Sequence, residues 1–392
     1  MTVLALNAGS SSLKFSLYEV KDLSHPCLHG VLDGLQPQGQ PCLQLRSADH
    51  VEQKNLSGDA EEVFASTLSQ LAAWAQGRAT PLQALAHRVV HGGQNYRQPV
   101  RVDAQVLRDL AELTPLAPLH QPHNLLGIER ASAVFPGLPQ IAVFDTAFHA
   151  GLSAVERTYA LPARWREAGI QRYGFHGLSY TYLCQRLAEL APGHGPRVLL
   201  AHLGNGASAC AVHGGRSVAT SMGFSALEGL VMGTRTGNID AGALLFLLEQ
   251  GLQHDQIQSL LYRESGLLGL SGLSADMRTL RASASPAARL AIEVFTHRLL
   301  KELGGLAALL GGVDVLVFSG GIGEHDAQLR TDILQGLAYL GARLDAEKQQ
   351  QLQGEGCISH ADSRIAVWVI PTDEEQVMAR AAIAILGLQG RS

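Results

Sequence analysis

Residues 7–12, Asn-Ala-Gly-Ser-Ser-Ser, put a carboxamide, three hydroxyls and closely spaced backbone N–H groups into one short segment, with the ammonium of Lys14 two residues on. A concave set of such donors suits phosphate oxygens. The same composition also makes an ordinary serine-rich hairpin turn, and the segment alone leaves both readings open. It is not a P-loop, because G-x-x-x-x-G-K is absent and a strand pattern follows. In residues 86–93 the guanidinium of Arg88 stands beside the reversal at Gly92-Gly93, a suitable anion clamp. Asp145 ends the apolar run 141–144, and strand ends are where open α/β sheets place ligands. His176 lies between Gly174 and Gly177. Arg235, flanked by Gly233 and Gly237, lies in the stretch 220–240, which is too long and too apolar for a solvated linker. Thr372 and Glu375 have capping-box spacing, which turns Glu375 back to a helix start and leaves Glu374 for another partner, such as magnesium near a phosphate. His87 and His91 have the i, i+4 spacing of a helical metal pair, but their segment reads as a strand. Structural roles are expected for both, as for His120 and His123.

These residues need elements to hold them. Residues 3–6 are apolar, and Leu13, Phe15 and Leu17 then alternate with Lys14, Ser16 and Tyr18, so residues 3–20 read as a hairpin. Lys14 on that half-buried strand can equally point to water. Short strands and turns are expected over 21–58. Helix patterns follow over 59–77, with Asp59 and Glu62 in capping-box spacing, and over 103–113, 179–190 and 286–303. The prolines of 116–124 mark a loop. Buried strands are expected at 86–90, 141–145 and 313–318, the last followed by a glycine run against which a planar ligand or phosphate chain can lie. Residues 198–212 repeat the strand, polar turn, strand pattern of the opening, and Gly9 aligned with Gly206 sets the two 197 residues apart. A second echo matches IAVFD at 141–145 with VLVFS at 315–319. Together they suggest duplicated domains with a cleft between them, although buried strands and glycine turns look alike in many folds.

Composition narrows the classes. The length suits two domains, and 46% hydrophobic with 17% charged residues is a core-forming balance. The 42 glycines have no collagen period. A net charge of −5, without a basic block, argues against a nucleic-acid partner. The five cysteines are scattered and form no C-x-x-C, so neither a zinc site nor a disulfide framework is indicated. No leader is evident, and the apolar run 303–313 falls short of the roughly 20 residues of a membrane span. A cytoplasmic protein is expected.

The motifs, taken in order, resemble the acetokinase family over nearly the whole chain: NAGSSSLKF at 7–15, HRVVHGG at 87–93, FDTAFH at 144–149, YGFHG at 173–177, HLGNG at 202–206, MGTR at 232–235 and GIGE at 321–324. The resemblance implies an α/β fold of two duplicated ribonuclease H-like, actin-like ATPase domains. The first would span 1–148, completed by a C-terminal helix over 373–392, and the second 149–372. It implies reversible, magnesium-dependent transfer of the ATP γ-phosphoryl group to acetate, giving acetyl phosphate and ADP, with manganese able to replace magnesium, in a cytoplasmic homodimer. By motif, Asn7 and Glu374 would hold the metal. Ser10, Ser12 and Lys14 would meet the nucleotide, as would His202, Leu203, Gly204, Asn205 and Gly206, then Asp276, Met277 and Arg278, then Gly321, Ile322, Gly323, Glu324 and His325. Arg88 would bind the substrate carboxylate in a pocket walled by Val90, Leu119 and Ala226. His176 and Arg235 would stabilise the transition state. Asp145 is the family's proton-handling or orienting group; acetate is already a nucleophile at neutral pH, which favours orientation.

Some positions depart from the family pattern. Ala226 stands where a proline usually precedes Leu-Glu-Gly, which removes bulk from the acyl pocket and points towards propionate. Asn238 and Ala241 replace an Asp and a Pro, Tyr180 a His, and His325 an Asn after GIGE; the stretch 120–124 reads HQPHN in place of HNPPN. Two alternatives therefore stand beside acetate: a propionate-preferring short-chain acyl kinase and, in another class, a non-catalytic actin-like or Hsc70-like nucleotide switch.

Overall fold

The computed structural model describes residues 1–9, 11–36, 39–47, 51–77 and 80–388. The chain divides into two compact units: Met1–Ala147 together with the chain from Asp373 onward, and Phe148–Thr372.

In the first unit the strands are β1 Thr2–Ala8, β2 Ser12–Glu19, β3 Leu28–Asp33, β4 Cys42–Arg46, β5 Val51–Asn55, β6 Leu82–Val89, β7 Val100–Arg101 and β8 Gln140–Phe144. They form one sheet in the order β5-β4-β3-β2-β1-β6-β8-β7. β1 pairs antiparallel with β2 and parallel with β6, so it is a central strand, and all seven of its residues are buried. A continuous apolar run is what a strand covered on both faces requires. β2 keeps Leu13, Phe15 and Leu17 inside as its alternation predicts, and Lys14 is exposed. Ser16 and Tyr18 are buried as well, because the C-terminal helix Glu374–Leu386 packs on β1, β2 and β6. The helix Ala60–Gln76 is capped by Asp59, whose carboxylate accepts from the Glu62 N–H. Its Leu68 and Leu71 join Leu4, Leu6, Phe15 and Leu17 in the core. The stretch expected as a proline loop is partly helical: Gln121–Val134 is a helix with Pro122 in its first turn, where the missing N–H costs no hydrogen bond.

The second unit holds β9 Arg197–Leu203, β10 Ala207–His213, β11 Arg216–Thr220, β12 Val315–Ser319, β13 Gly356–Cys357 and β14 Ala366–Val369, in the order β11-β10-β9-β12-β14-β13. The helix Gly177–Leu190 contributes Tyr180, Leu183 and Leu187 to a core with Val198, Leu200, Val315 and Val317. The helix Pro286–Leu310, longer than its sequence pattern suggested, packs on β9, β10 and β11. Residues 221–240 contain neither helix nor strand.

Each unit thus repeats one topology. β3-β2-β1-β6-β8 and β11-β10-β9-β12-β14 are both three antiparallel strands continued by two parallel ones, the ribonuclease H-like, actin-like arrangement. The two polar turns are topological equivalents, but the strand ends match Ala8 of β1 with Leu203 of β9 and so Gly9 with Gly204, not with Gly206, because the second turn is one residue shorter. The second echo is wrong. IAVFD is the fifth strand of its motif, β8, whose counterpart is β14, whereas VLVFS is the fourth strand, β12, the counterpart of β6. Fully buried parallel strands converge on the same residues whatever their position in the sheet.

Candidate active site

In the first unit the chemistry gathers where β1, β6 and β8 end. Arg88, the penultimate residue of β6, donates from Nε to both oxygens of Asp145 at 3.1 Å and from Nη2 to Asp145 Oδ2 at 2.6 Å. Its Nη1 donates to Asn7 Oδ1 at 3.2 Å. Asn7 Nδ2 in turn donates to Glu374 Oε2 at 3.2 Å, and that oxygen lies 3.8 Å from Arg88 Nε. Asp145 is 1% exposed. Burial works against the charge on Arg88, but the Asp145 and Glu374 carboxylates hold its pKa above that of a free guanidinium. A guanidinium has five N–H donors, and these bonds occupy three, leaving one on Nη1 and one on Nη2 for a further acceptor.

Lys14 faces Asn7 across the β1–β2 ladder. The turn is closed by the Gly9 N–H donating to Ser12 O at 2.8 Å; Ser12 is half-buried, and Ser10 lies outside the described residues. Val90 is buried and Leu119 half-buried. Asn124 was not singled out from sequence, yet its amide donates to Ala8 O at 2.7 Å and its Oδ1 accepts from the Val90 N–H at 2.9 Å. It fixes the end of β1 against the end of β6.

The expected capping box at the last helix does not form. Asp373, not Thr372, is the N-cap: its Oδ1 accepts from the Gln376 N–H at 2.8 Å and from the Tyr18 hydroxyl at 2.9 Å. Thr372 Oγ1 is buried without a hydrogen-bond partner. Glu374 is therefore the first helical residue and points to Asn7. Glu375 is buried, and burial, with Glu374 adding to it, pushes its pKa up to about 7.

In the second unit His176 has φ 59°, the one positive φ outside glycine among the described residues, and it caps the helix Gly177–Leu190. A non-glycine residue held there carries strain that the surroundings must impose. Gly174, with φ +78°, is packed too closely against the ring of His149 for any side chain. His149 is buried between Ser217 Oγ at 2.8 Å and the Phe175 carbonyl at 3.0 Å, and burial lowers its pKa to about 4. Its neutral ring fixes the backbone just before His176. His176 Nδ1 lies 2.8 Å from Ser208 Oγ, which also bonds the Tyr180 hydroxyl. That leaves Nε2 facing the β9–β10 turn. The rings of His176 and His202 lie 4.4 Å apart, and His202 Nδ1 is 2.9 Å from Ser179 Oγ.

The turn brings the assigned groups together. A Cβ placed on Gly206 would lie 3.4 Å from His176 Nε2 and 3.7 Å from Arg235 Nη2. Arg235 Nη1 donates to the Ala226 carbonyl at 2.8 Å, and the Gly233 N–H donates to Asn205 O at 3.0 Å. The 220–240 loop is thereby tied to the β9–β10 turn, Gly204 to Gly206. The change to Asn238 keeps a loop bond, since Asn238 Oδ1 accepts from the Gly229 N–H at 2.9 Å.

The remaining assigned residues are placed less directly. Leu203 is a buried strand residue. Asp276 caps the helix Met277–Ala282 and pairs with Arg278, whose guanidinium holds the Asp276 carboxyl down at about 2. Met277 is buried, so its side chain packs in the core. The glycine run after β12 is a short helix, Gly320–His325, in which Gly321 and His325 are exposed and Ile322 and Glu324 half-buried. Its Gly323 and Glu324 carbonyls accept from the buried Arg330 Nη1 at 2.8 Å. Ser208 escaped notice in the sequence. Its signal was a hydroxyl within the buried run of β10, opposite His202 in register.

The family model described as the acetokinase family matches residues 2–380. An acetate kinase of Rhodopseudomonas palustris is 46% identical over 387 residues, covering 96% of each chain. A crystal structure of a propionate kinase from Francisella tularensis superposes with a TM-score of 0.89 at 36% identity, over 97% of this chain and 98% of that one. The Porphyromonas gingivalis acetate kinase structure gives 0.88 at 36% identity, over 98% and 99%.

Proposed function

This chain belongs to the acetokinase family, and from that premise we propose that it catalyses reversible, in-line transfer of the γ-phosphoryl group of ATP to acetate, giving acetyl phosphate and ADP. The observation that carries this reading is the approach of His176 Nε2 and Arg235 Nη2 to Gly206. Phosphoryl transfer is catalysed by positioning and by offsetting charge on three equatorial oxygens, and an imidazole beside a guanidinium supplies such donors. Arg88 supports the carboxylate role with its two remaining N–H groups. Asp145 supports orientation over proton removal, since both its oxygens accept from that guanidinium.

The reading includes magnesium, with manganese as a substitute. Among the described residues no group of three or more His, Cys, Asp or Glu could cage a metal. The neighbouring Glu374 carboxylate and Asn7 amide instead fit an ion that keeps waters and travels with phosphates. When bound, it would offset negative charge on the nucleotide phosphates. A homodimer is the proposed assembly, supported by the helix Ala241–Glu249, whose Leu245 and Phe246 are 62% and 58% exposed. We place the protein in the cytoplasm; no described helix is long and apolar enough to cross a membrane.

Ala226 favours a second reading, preference for propionate, because it presents less bulk than the proline usual there. The test is acyl phosphate trapped as hydroxamate from ATP and magnesium, with acetate, propionate and butyrate compared. Acetate-preferring turnover supports the first reading and propionate preference the second. Nucleotide binding without acyl phosphate from any carboxylate would overturn both in favour of a nucleotide switch.

A further inference from the structure

Arg235 is aimed by a backbone carbonyl, and that carbonyl belongs to a loop held by side chains outside the assigned site. Tyr159 donates its hydroxyl proton to Glu228 Oε2 in a short hydrogen bond, and the same oxygen of Tyr159 accepts from the Phe224 N–H at 2.9 Å. Arg172 donates from Nη2 to Glu228 Oε1 at 2.8 Å. Its Nη1 donates to the carbonyls of Thr220 at 3.1 Å and Met222 at 3.0 Å, and its Nε lies 3.5 Å from Glu156. The loop is closed over this cluster so tightly that a Cβ on Gly223 would meet Glu228 Oε2 and the Tyr159 hydroxyl inside any permitted contact distance. Gly223 O accepts from the N–H groups of Tyr173 and Gly174 at 3.0 and 3.2 Å, three and two residues before His176. One clamped loop therefore touches the backbone leading to His176 and carries the Ala226 carbonyl that Arg235 grips.

We propose that Tyr159, Arg172 and Glu228 are positioning residues that fix the 222–229 loop and, through Ala226 O, set the direction of the Arg235 guanidinium. The inference rests on the reading of Arg235 as a transition-state group. None of the three need touch substrate: each acts through the loop. Displacing such a donor by about 1 Å costs on the order of a hundredfold in rate.

The test compares wild type, Glu228→Gln and Tyr159→Phe, each also combined with Arg235→Ala, by acyl phosphate formation over long incubations and by backbone hydrogen exchange. The expected result is a fall in kcat of about tenfold to a hundredfold for Glu228→Gln. Half-saturation by nucleotide and carboxylate should stay within about twofold, and the loss should shrink to under about twofold when Arg235 is already alanine. Tyr159→Phe, which removes one oxygen and keeps the ring, should show a smaller loss of the same pattern if Glu228→Gln folds poorly. Exchange should quicken over 222–236. Equal losses with and without Arg235, or unchanged exchange in both variants, would overturn the inference. A wild type that forms no acyl phosphate would overturn the kinase reading instead, and the exchange arm would still decide whether the cluster clamps the loop.

Discussion

The two units lay down the same order of strands and place different chemistry at the strand ends. In the first, Arg88, Asp145, Asn7 and Glu374 form a chain of charge-assisted hydrogen bonds in which Asp145 is almost fully buried. In the second, His176, His202 and Arg235 stand around a glycine turn, and their orientation comes from hydroxyls and carbonyls, namely Ser208, Ser179 and Ala226 O. The first arrangement is held by charge pairing and leaves Arg88 two further N–H donors, on which the proposed carboxylate role rests. The second sets imidazole and guanidinium groups around the β9–β10 turn, the arrangement on which the proposed phosphoryl chemistry rests. A shared topology fixes where loops emerge; side-chain chemistry decides what each loop cluster binds.

The largest effect that would sharpen this contrast is at Arg235. Arginines on a transferring phosphoryl group are worth about a thousandfold or more in turnover, so Arg235→Ala should lower kcat by that order with the melting temperature little changed. A loss below about tenfold would break the assignment of phosphoryl chemistry to the second unit.

Next comes pH. His87 is buried in β6 against Gln140, and His149 is buried beneath Phe175; burial lowers both to about 4 from an ordinary 6.5. The unfolded chain therefore binds protons first as pH falls. Stability is full above about pH 6.5 and declines towards pH 4, by up to about 3 kcal/mol per ring. In the first unit burial lowers His91 to about 4 as well, so His87→Gln should flatten the denaturation profile across that window only in part, as should His149→Gln in the second. An unchanged slope in either would show that its ring is not held neutral.

Ser208→Ala has a smaller expected effect. It frees the His176 ring to turn and should lower kcat by about tenfold, the low end of what a misoriented catalytic group costs. Tyr180→Phe, which removes only the second partner of Ser208, should cost less in kcat. Smallest is Ala226→Pro, which restores bulk to the proposed acyl pocket. One methylene of pocket space discriminates by about tenfold or somewhat more, so the ratio of kcat/KM for acetate over propionate should rise by up to that factor. A fall in that ratio would remove Ala226 from the pocket.

Much of this was legible in residue order. The hairpin β1–β2 followed from alternation, and the helices beginning near 60, 104, 177 and 286 followed from caps and periodicity. What residue order cannot carry is register between distant segments. Arg88 and Asp145 are 57 residues apart and Asn7 and Glu374 are 367 apart, so nothing local marks them as bonded. The false match of β8 with β12 arose because burial selects Val, Ile and Phe alike at any central strand. The cap falls on Asp373, one position beyond the expected Thr372, and the Tyr18 hydroxyl, far away in sequence, donates to that capping carboxylate. The Tyr159, Arg172 and Glu228 cluster was invisible for the same reason: its members come from three separate stretches.

The division of labour between the units is tested most directly by acyl phosphate kinetics of Arg88→Ala beside Arg235→Ala, with acetate and nucleotide varied in turn. Arg88→Ala should raise half-saturation by acetate about tenfold or more, as loss of charge-assisted bonds to a carboxylate requires, and leave nucleotide half-saturation within about twofold. Arg235→Ala should act on kcat with both half-saturations nearly unchanged. An Arg88→Ala enzyme that loses nucleotide affinity as much as acetate affinity, or an Arg235→Ala enzyme impaired only in binding, would contradict that division of labour.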